Sequence, residues 1–299
     1  MPRVSIVVPA WNAAAFIAKT LSTVAAQTFR DFELIVVDDG STDATKEIVD
    51  RFLKEKDIRG RCINQENKKI AGARNTGIRA ASADLISFLD HDDLWFPQKL
   101  ARVIAEFDAH PDADLVCHQE NVVKDGAFIR ITRNGPWSAN MYEKLLFEGN
   151  ALSPSAVTVR KSKLLEAGLF REEAQFNTVE DYDLWLRLAK IGRMRFLDEI
   201  LGEYQLVERG ASNNIVYHNT NLEHLLLDHF RLIADPGMLD RARMRRRIGA
   251  MCRSASRLLM EQGDLETAGS YARRAASVCP WDWKNATVVA LWALARARA

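Results

Sequence analysis

Carboxylates with the spacing for metal chemistry occur at three places in the sequence: Asp38-Asp39, Asp90-His91-Asp92-Asp93 and Glu180-Asp181. Carboxylates gathered at one site repel one another and resist burial, so a cation is expected to balance them. Hard oxygen ligands favour Mg²⁺ or Mn²⁺, and such an ion usually brings a substrate phosphate with it. The residue types therefore predict metal-assisted chemistry on a phosphorylated substrate.

The elements that must hold these carboxylates alternate between strands and helices over the first hundred residues. Apolar runs bounded by turn residues predict buried parallel strands at 4–8, 33–37, 61–64 and 85–89. Apolar residues at helical spacing fill the first two intervals between these runs. The pattern is βαβαβ, a doubly wound half-domain of the nucleotide-binding type. Ligands of such folds bind at the carboxyl ends of the strands, which is where the acidic clusters fall.

The rest of the chain predicts a mixed α/β portion followed by an all-helical one. Strands are expected at 113–117 and 156–160, and helices at 142–147, 162–167 and 182–191. From about Asn219 strands disappear, and three helical stretches interrupted at Pro236-Gly237, Gly263-Asp264 and Pro280 follow. We therefore predict an α/β domain over residues 1–217 and a C-terminal helical extension over residues 218–299.

Composition excludes several classes of protein. The chain has 41 basic and 40 acidic residues, so nothing in its charge calls for nucleic acid as a partner. Its longest apolar stretch, 286–295, is about half of what a bilayer crossing needs. The four scattered cysteines suit reduced, mostly buried thiols. We expect a cytoplasmic protein that is soluble or at most peripheral to a membrane.

Four sequence motifs together resemble a known family. The segment VSIVVPAWNAAAFIAKTLSTVAAQTFRDFELIVVDDGSTDAT, then AGARNTGI, FLDHDDLWFPQKL and VEDYDLWLRL, is similar to the inverting GT-A glycosyltransferases of family 2. The similarity covers roughly residues 1–215, and the ordered set is very specific although a lone D-x-D is not. The resemblance implies transfer of a sugar from a nucleotide-sugar donor, by family habit a UDP-sugar, to a carbohydrate or lipid-linked acceptor in cell-surface polysaccharide or glycolipid synthesis.

The resemblance also assigns a donor side. The implied donor-binding residues are Pro9, Ala10, Asn12, Asp39, Lys69, Arg74 and Asp90. Asp39 would accept a base N–H, whereas its plainer interpretation is a turn that caps the next helix. Lys69 and Arg74 would lie near the nucleotide, and their plainer interpretations are a solvated loop charge and a structural salt bridge.

The D-x-D-like motif is implied to hold Mn²⁺ or Mg²⁺. The leaving group is a nucleoside diphosphate, and a metal neutralises the charge that develops on it. Asp92 is the direct ligand that the family pattern favours, and Asp90 would contact ribose or the metal. His91 is expected to be a spacer because imidazole suits Mg²⁺ poorly, and Asp93 is expected to cap the helix that follows.

The acceptor hydroxyl is a weak nucleophile, so a positioned carboxylate must take its proton. The family pattern places this base at Asp181, with Glu180 orienting the acceptor or the base. The plainer interpretation is that both carboxylates complement the dipole at the start of a helix. Trp185 and Arg187, one turn further on, would line the acceptor side or reach a phosphate, although their spacing fits ordinary helix packing equally well.

One position departs from the family pattern. Many relatives carry a histidine in a Tyr-x-x-His stretch, and here Val207 stands in its place. The metal would then rely on Asp92, diphosphate and water, or bind weakly. The stretch 209–212 that follows is expected to be a flexible loop able to close over the donor.

The helical tail has two interpretations. Apolar residues form one stripe from 241 to 260, and the arginines lie largely outside it. Such a helix can lie on an anionic membrane surface, which would suit a lipid-linked acceptor at the inner face of the membrane. It can also pack on the catalytic domain with its arginines in water, and we favour this second interpretation.

Three other functional classes compete with the enzyme. A sugar nucleotidyltransferase would need a Gly- and Arg-rich phosphate loop after the first strand, and none is present there. A dinucleotide-dependent oxidoreductase needs a glycine-rich turn after the first strand, and the chain has PAWNAAAF there. A non-catalytic nucleotide-sugar-binding scaffold that acts through its helical tail remains the alternative, because of the missing histidine. Donor-dependent nucleotide release separates the two, since a scaffold would release none.

Overall fold

A mixed nine-stranded sheet organises the first part of the chain, with strand order β3-β2-β1-β4-β8-β6-β9-β5 and β7 paired to β6. The computed structural model describes residues 1–207 and 214–298, so the predicted loop at 209–212 lies outside the described residues. Two compact units are present. The first comprises Met1–Tyr142 and Ala151–Gly210, and the second comprises Glu143–Asn150 and Ala211–Ala299.

The predicted βαβαβ half is confirmed. Its elements are β1 (Val4–Ala10), α1 (Ile17–Ala25), β2 (Phe32–Asp38), α2 (Thr45–Lys56), β3 (Gly60–Asn64), α3 (Lys69–Ala80) and β4 (Leu85–Phe88). Strands β3, β2, β1 and β4 are parallel neighbours in that order. Their carboxyl ends therefore meet at one edge of the sheet, which we call the rim.

Both faces of this parallel sheet are buried, which is why its strands are continuous apolar runs. On one face Val4, Ile6 and Val8 belong to the same core as Leu21 of α1. On the other face α3 lies so close to β1 that a Cβ at Gly77 would overlap Val7. The glycine fixes the depth at which α3 sits on the sheet.

The remaining elements of the first unit complete the sheet and cover it. They are β5 (Leu94–Trp95), α4 (Lys99–Ala109), β6 (Leu115–Lys124), β7 (Ala127–Thr132), β8 (Val157–Arg160), α6 (Lys161–Glu166), α7 (Glu180–Ile191) and β9 (Met194–Gln205), with α5 (Met141–Glu148) running into the second unit. Two 3₁₀ turns lie at Pro154–Ala156 and Ala174–Phe176. Strand β8 runs antiparallel to β4 and β6, whereas β6 and β9 are parallel.

The β6–β7 hairpin was not predicted. Its turn is Asp125-Gly126, with a positive φ at both residues, and Lys124 pairs directly with Ala127. Asp-Gly is a strong signal for a two-residue hairpin turn. The polar run at 118–121 interrupts β6, and Arg130 interrupts the short edge strand β7, so neither strand is a continuous apolar run.

The second unit is helical, as expected. The three predicted interruptions separate four helices, α8 (Ile215–Arg231), α9 (Met238–Glu261), α10 (Leu265–Val278) and α11 (Trp283–Arg298). The apolar stripe of α9 is buried inside this unit, where Ala255 and Leu259 pack with Ala268 of α10. Small residues on α10 allow this close approach, so at least this part of the stripe packs on a neighbouring helix of the same unit.

Two expectations from composition concern the described residues as a whole. No helix among residues 1–207 and 214–298 has the length and hydropathy to cross a membrane. The four cysteines are free thiols, and three of them are buried.

The predicted α/β architecture with a helical C-terminal region is the one observed.

Candidate functional site

The acidic segment after β4 is held by hydrogen bonds from distant elements. The N–H of Asp90 donates to Ser155 Oγ at 3.0 Å. Asp93 is buried and accepts from the Ser155 hydroxyl at 2.5 Å and from the Gln205 N–H at 2.9 Å. The prediction that Asp93 caps a helix is wrong, because β5 intervenes before α4 begins at Lys99 and both Asp93 oxygens have other partners.

Asp92 is the carboxylate of this segment that remains available. It is half-buried and accepts no hydrogen bond from another of the described residues. Burial raises its pKa, and the charge of Asp90 adds to the effect while His91 opposes it. A divalent cation would relieve this repulsion. Among residues 1–207 and 214–298, no group of three or more His, Cys, Asp or Glu could hold a metal, so diphosphate or water would have to complete the coordination.

His91 is anchored by two polar contacts with other elements. Its Nδ1 lies 3.2 Å from the carbonyl oxygen of Pro9, and its own carbonyl accepts from the Thr20 hydroxyl at 2.7 Å. These contacts are those of a spacer that anchors the motif to β1.

Arg74 of α3 joins the end of β4 to the start of α7. Its buried guanidinium donates to Asp90 Oδ1 at 2.7 Å and to Glu180 Oε1 at 2.8 Å. The guanidinium also lies over the ring of Phe170, 5.3 Å from its centroid. Burial opposes the charge, but Asp90, Glu180 and Asp181 together raise the pKa of Arg74 above its ordinary value. The salt-bridge interpretation of Arg74 describes its contacts, and it brings two of the acidic clusters together.

Glu180 and Asp181 open α7 beside this arginine. Burial raises the pKa of Glu180 to about 7, with Arg74 opposing and Asp181 adding, and Glu180 Oε2 has no hydrogen-bond partner in the described chain. Asp181 is half-buried, and one of its oxygens accepts from the Tyr182 N–H at 2.7 Å. Burial also raises the pKa of Asp181, and Arg74 again opposes.

Tyr204 lies near the end of β9. Burial raises the pKa of its phenol, and the charges of Asp93, Asp90, Asp92 and Asp181 raise it further. The direct link between the end of β4 and the start of α7 is the pair of contacts that Arg74 makes with Asp90 and Glu180.

The donor side of the rim is built around Asp39. Its N–H donates to the carbonyl of Ala10 at 2.8 Å, which ties β2 to β1. Its Oδ1 accepts from Gln65 Nε2 at 2.6 Å and from the Lys68 N–H at 2.9 Å. No other described residue donates to its Oδ2, which leaves that oxygen for a ligand. Asp39 does not cap α2, whose N-cap residue is Ala44; Asp43, one residue before it, accepts from the Thr45 N–H at 3.0 Å.

Asn12 links the loops that follow β1 and β2. Its backbone has a positive φ of 48°, its N–H donates to Ser41 Oγ at 2.9 Å, and its Oδ1 accepts from the Thr42 N–H at 2.8 Å. Pro9, Ala10 and Asn12 therefore shape the rim mainly through backbone groups and one amide.

Three residues of the predicted set lie outside this cluster of contacts. Lys69 begins α3 with a positive φ and an exposed side chain. Trp185 is fully buried and packs against Phe88 and Phe170. Arg187 pairs with Asp183 at 2.6 Å and donates to the carbonyl of Leu169 at 2.7 Å. The positions of Trp185 and Arg187 match the alternative of ordinary helix packing.

Sequence reasoning missed Gln65 and Ser155. Gln65 follows β3 directly, so its place at the rim was available from the strand pattern. Ser155 lies 62 to 65 residues from its partners in the acidic segment, and no local pattern connects them.

Comparison with known proteins places this geometry in context. The profile of glycosyl transferase family 2 matches residues 5–164, more than half of the chain. An amylovoran biosynthesis glycosyltransferase of Erwinia amylovora is 30% identical over 220 residues, which cover 70% of this chain and 72% of the relative. A chondroitin synthase of Escherichia coli is 29% identical over 78% of this chain but only 32% of its own length.

Solved structures share the fold. TarS of S. aureus, residues 1–349 in complex with UDP-GlcNAc, has a TM-score of 0.62 at 18% identity, covering 98% of this chain and 92% of that one. The mannosyltransferase PcManGT of Pyrobaculum calidifontis, in complex with GDP-Man and Mn²⁺, has a TM-score of 0.64 at 21% identity, covering 99% of this chain and 86% of that one.

Proposed function

The chain belongs to glycosyl transferase family 2 and is a glycosyltransferase, and we propose that it transfers a sugar from a UDP-sugar to a hydroxyl acceptor with inversion. The proposed acceptor is a carbohydrate or a lipid-linked carbohydrate in polysaccharide synthesis. Relatives named for amylovoran and chondroitin synthesis support this acceptor class, and fold neighbours that hold UDP-GlcNAc or GDP-Man support a nucleotide-sugar donor.

The observation that carries the proposal is the Arg74 bridge. It holds Asp90 at the end of β4 and Glu180 at the start of α7 within 2.8 Å of one guanidinium. The neighbours of these two residues, Asp92 and Asp181, are the proposed metal ligand and the proposed base. A transfer reaction needs both functions around one bond, and this bridge is what supports their assignment to one site.

On the donor side, the proposed role of Asp39 is to accept a base N–H through its free Oδ2. Its other oxygen is fixed by Gln65 and Lys68, so the carboxylate is already oriented. Lys69 and the rim formed by Pro9, Ala10 and Asn12 are proposed to border the nucleotide.

The metal-side residues fit a hard divalent cation, because Asp92 is an oxygen donor with no other described partner and a pKa raised by its surroundings. Mn²⁺ or Mg²⁺ held by Asp92, with Asp90 beside it, would neutralise charge on the departing diphosphate. Asp90 Oδ1 also accepts from Arg74, so the protein fixes the orientation of the Asp90 carboxylate.

Asp181 is proposed to remove the acceptor proton. A single carboxylate base suffices for direct displacement, and inversion at the anomeric carbon follows because no covalent intermediate forms. Glu180 is proposed to position this base through Arg74. The alternative is a non-catalytic binding scaffold. Val207 suggests it, because this residue stands where the family pattern has a histidine.

Asp181→Asn tests the enzyme directly. We expect turnover to fall at least about a hundredfold, the scale of a lost general base, while UDP-sugar binding changes little. Turnover is measured as UDP release across a panel of nucleotide sugars, and binding by calorimetry. Asp84→Asn, an exposed aspartate of the same unit, is the control. Wild-type turnover in Asp181→Asn would remove this residue from the mechanism, and no UDP release above background from the native chain would favour the scaffold.

The second unit offers a surface for an anionic membrane, which would suit a lipid-linked acceptor. Trp281 and Trp283, 54% and 71% exposed, flank the turn between α10 and α11. The Arg245 guanidinium lies 4.7 Å from the Trp281 ring centroid, and Lys284 lies beside Trp283. Exposed tryptophans next to cations suit the boundary between headgroups and acyl chains. We propose this tryptophan surface as a peripheral contact with the inner face of the membrane.

We also propose that the catalytic domain spans residues 1–217 and the helical extension residues 218–299.

A further inference from the structure

We propose that Ser155 and Asp93 are positioning residues that set the direction of Asp92 toward the metal and the donor diphosphate. The role rests on the proposed function of Asp92. Neither residue touches a ligand in this scheme, since each acts through the backbone of the acidic segment.

Ser155 is fully buried in the 3₁₀ turn before β8, and its hydroxyl makes two hydrogen bonds to the segment. It accepts from the Asp90 N–H at 3.0 Å and donates to Asp93 Oδ2 at 2.5 Å. A hydroxyl has one proton to donate and two lone pairs to accept with, so both bonds form at once. One side chain therefore fixes the residues on either side of His91 and Asp92.

Asp93 extends this clamp to a third element. Its second oxygen accepts from the Gln205 N–H at 2.9 Å, at the last residue of β9. Its own N–H donates to the Asp90 carbonyl at 3.1 Å, which closes the turn. The Ser155 carbonyl also accepts from Trp95 Nε1 at 2.8 Å, just beyond the segment.

The consequence follows from what Asp92 lacks. Its carboxylate has no hydrogen bond from another of the described residues, so no side-chain contact there sets its direction. The turn that carries it is fixed by Ser155 and Asp93, and the direction of the carboxylate then depends on that turn. A metal-ligating side chain must be held within a fraction of an ångström of its working position, and this depends on the residues that contact and orient it.

Ser155→Ala tests the clamp, with Ser87→Ala as the matched control. Ser87 is an equally buried serine of the same unit, and its hydroxyl contacts Thr158 and Lys99 instead. Calorimetry with UDP, in the presence and absence of MnCl₂, measures metal-dependent nucleotide binding. We expect Ser155→Ala to weaken the Mn²⁺-dependent binding of UDP about tenfold, a typical result of losing buried hydrogen bonds. Binding without metal and binding by Ser87→Ala should change less than about twofold.

Hydrogen exchange supplies a readout that needs no ligand. Amides in the peptide covering 85–98 should exchange faster in Ser155→Ala than in Ser87→Ala, because the turn has lost its clamp. Ser155→Thr, which keeps the hydroxyl, and Asp93→Asn, which keeps an acceptor for Gln205, should give intermediate effects. Equal metal dependence and equal exchange in Ser155→Ala and Ser87→Ala would overturn the proposal. If the native chain binds no UDP with Mn²⁺, the proposed function fails, whereas the exchange comparison still decides whether Ser155 holds the turn.

Discussion

At the scale of single residues, one arginine serves three carboxylates. Arg74 contacts Asp90 and Glu180. The charge of Asp181 also raises the pKa of Arg74, and the charge of Arg74 acts to lower the pKa of Asp181. Burial is the main reason why the pKa values of Glu180 and Asp181 are raised, and the charge of Arg74 opposes the rise without cancelling it. Three carboxylates around one arginine would favour a further cation, such as the proposed metal.

The raised pKa of Asp181 predicts the pH dependence of catalysis. Asp181 must be ionised to act as a base, and burial raises its pKa above the ordinary value of 3.8. Activity should therefore fall as pH decreases through a value higher than an exposed aspartate would give. The acid limb of kcat/KM, measured over pH 4 to 9 in buffers of constant ionic strength, checks this. Activity that stays level down to pH 4, as expected for a base with the ordinary pKa of 3.8 or lower, would contradict the assignment.

Asp92 predicts the metal dependence. Asp92→Ala removes an oxygen donor, so it should weaken nucleotide binding in the presence of Mn²⁺ and leave metal-free binding nearly unchanged. Calorimetry with UDP, with and without Mn²⁺, separates the two. The exposed Asp84→Ala variant is the matched control. If adding Mn²⁺ raises the affinity of Asp92→Ala for UDP as much as it does for the native chain, Asp92 is not a ligand.

At the scale of elements, the site depends on α3 reaching across the sheet edge to α7. The glycine at position 77 lets α3 sit close to β1, and Arg74, one turn earlier, then reaches both β4 and α7. The acidic segment follows β4, and Ser155 lies in the turn just before β8. Strands β4 and β8 are neighbours in the sheet, and β6 lies next to β8. Helix placement and strand order together decide which side chains meet.

Removing the arginine should therefore loosen this junction. Arg74→Met leaves the carboxylates of Asp90 and Glu180 without their cation, and the expected loss in unfolding free energy is about 3–5 kcal/mol. Arg74→Lys should lose less, because an ammonium keeps the charge but not the two-pronged geometry. Arg79→Met on the same helix, where the side chain is 60% exposed, should cost less than about 0.5 kcal/mol. Urea denaturation of all three variants measures these differences. Equal losses for Arg74→Met and Arg79→Met would contradict a role for Arg74 in holding the site.

At the scale of the whole molecule, the second unit carries the proposed membrane surface. Ala255 and Leu259 of the amphipathic stripe on α9 pack inside this unit, so the proposed contact uses other residues. Met238 and Leu239, 90% and 71% exposed at the start of α9, lie a few turns before Arg245 on the same helix and can extend the tryptophan surface.

Vesicle binding tests this surface. We expect the native chain to bind vesicles containing phosphatidylglycerol, to bind phosphatidylcholine vesicles weakly, and to be released by salt. Trp281→Ala with Trp283→Ala should reduce binding to anionic vesicles about tenfold. The double variant Arg257→Ala with Leu258→Ala, at exposed positions elsewhere on α9, is the control. Sedimentation of native protein equally with both kinds of vesicle, or with neither, would refute the membrane assignment.

The sequence by itself determined the parallel half of the sheet and the family. Parallel strands buried on both faces are continuous apolar runs, so β1 to β4 were visible with boundaries shifted by only a few residues. The acidic motifs are local, and their order along the chain was enough to indicate a glycosyltransferase. The edge strand β7 escaped this approach because it is short and interrupted by Arg130, and because β6 before it carries a polar run at 118–121.

Only the tertiary structure decided which side chains support the motifs. Arg74 and Glu180 are 106 residues apart, and Ser155 lies 65 residues from Asp90, so neither contact follows from periodicity or spacing. The same holds for Asp93. A local rule assigned it to a helix cap, whereas in the structure its carboxylate accepts from the N–H of Gln205, the last residue of β9. Local patterns fix elements because backbone conformation depends on near neighbours, whereas the partners of a side chain depend on how those elements pack.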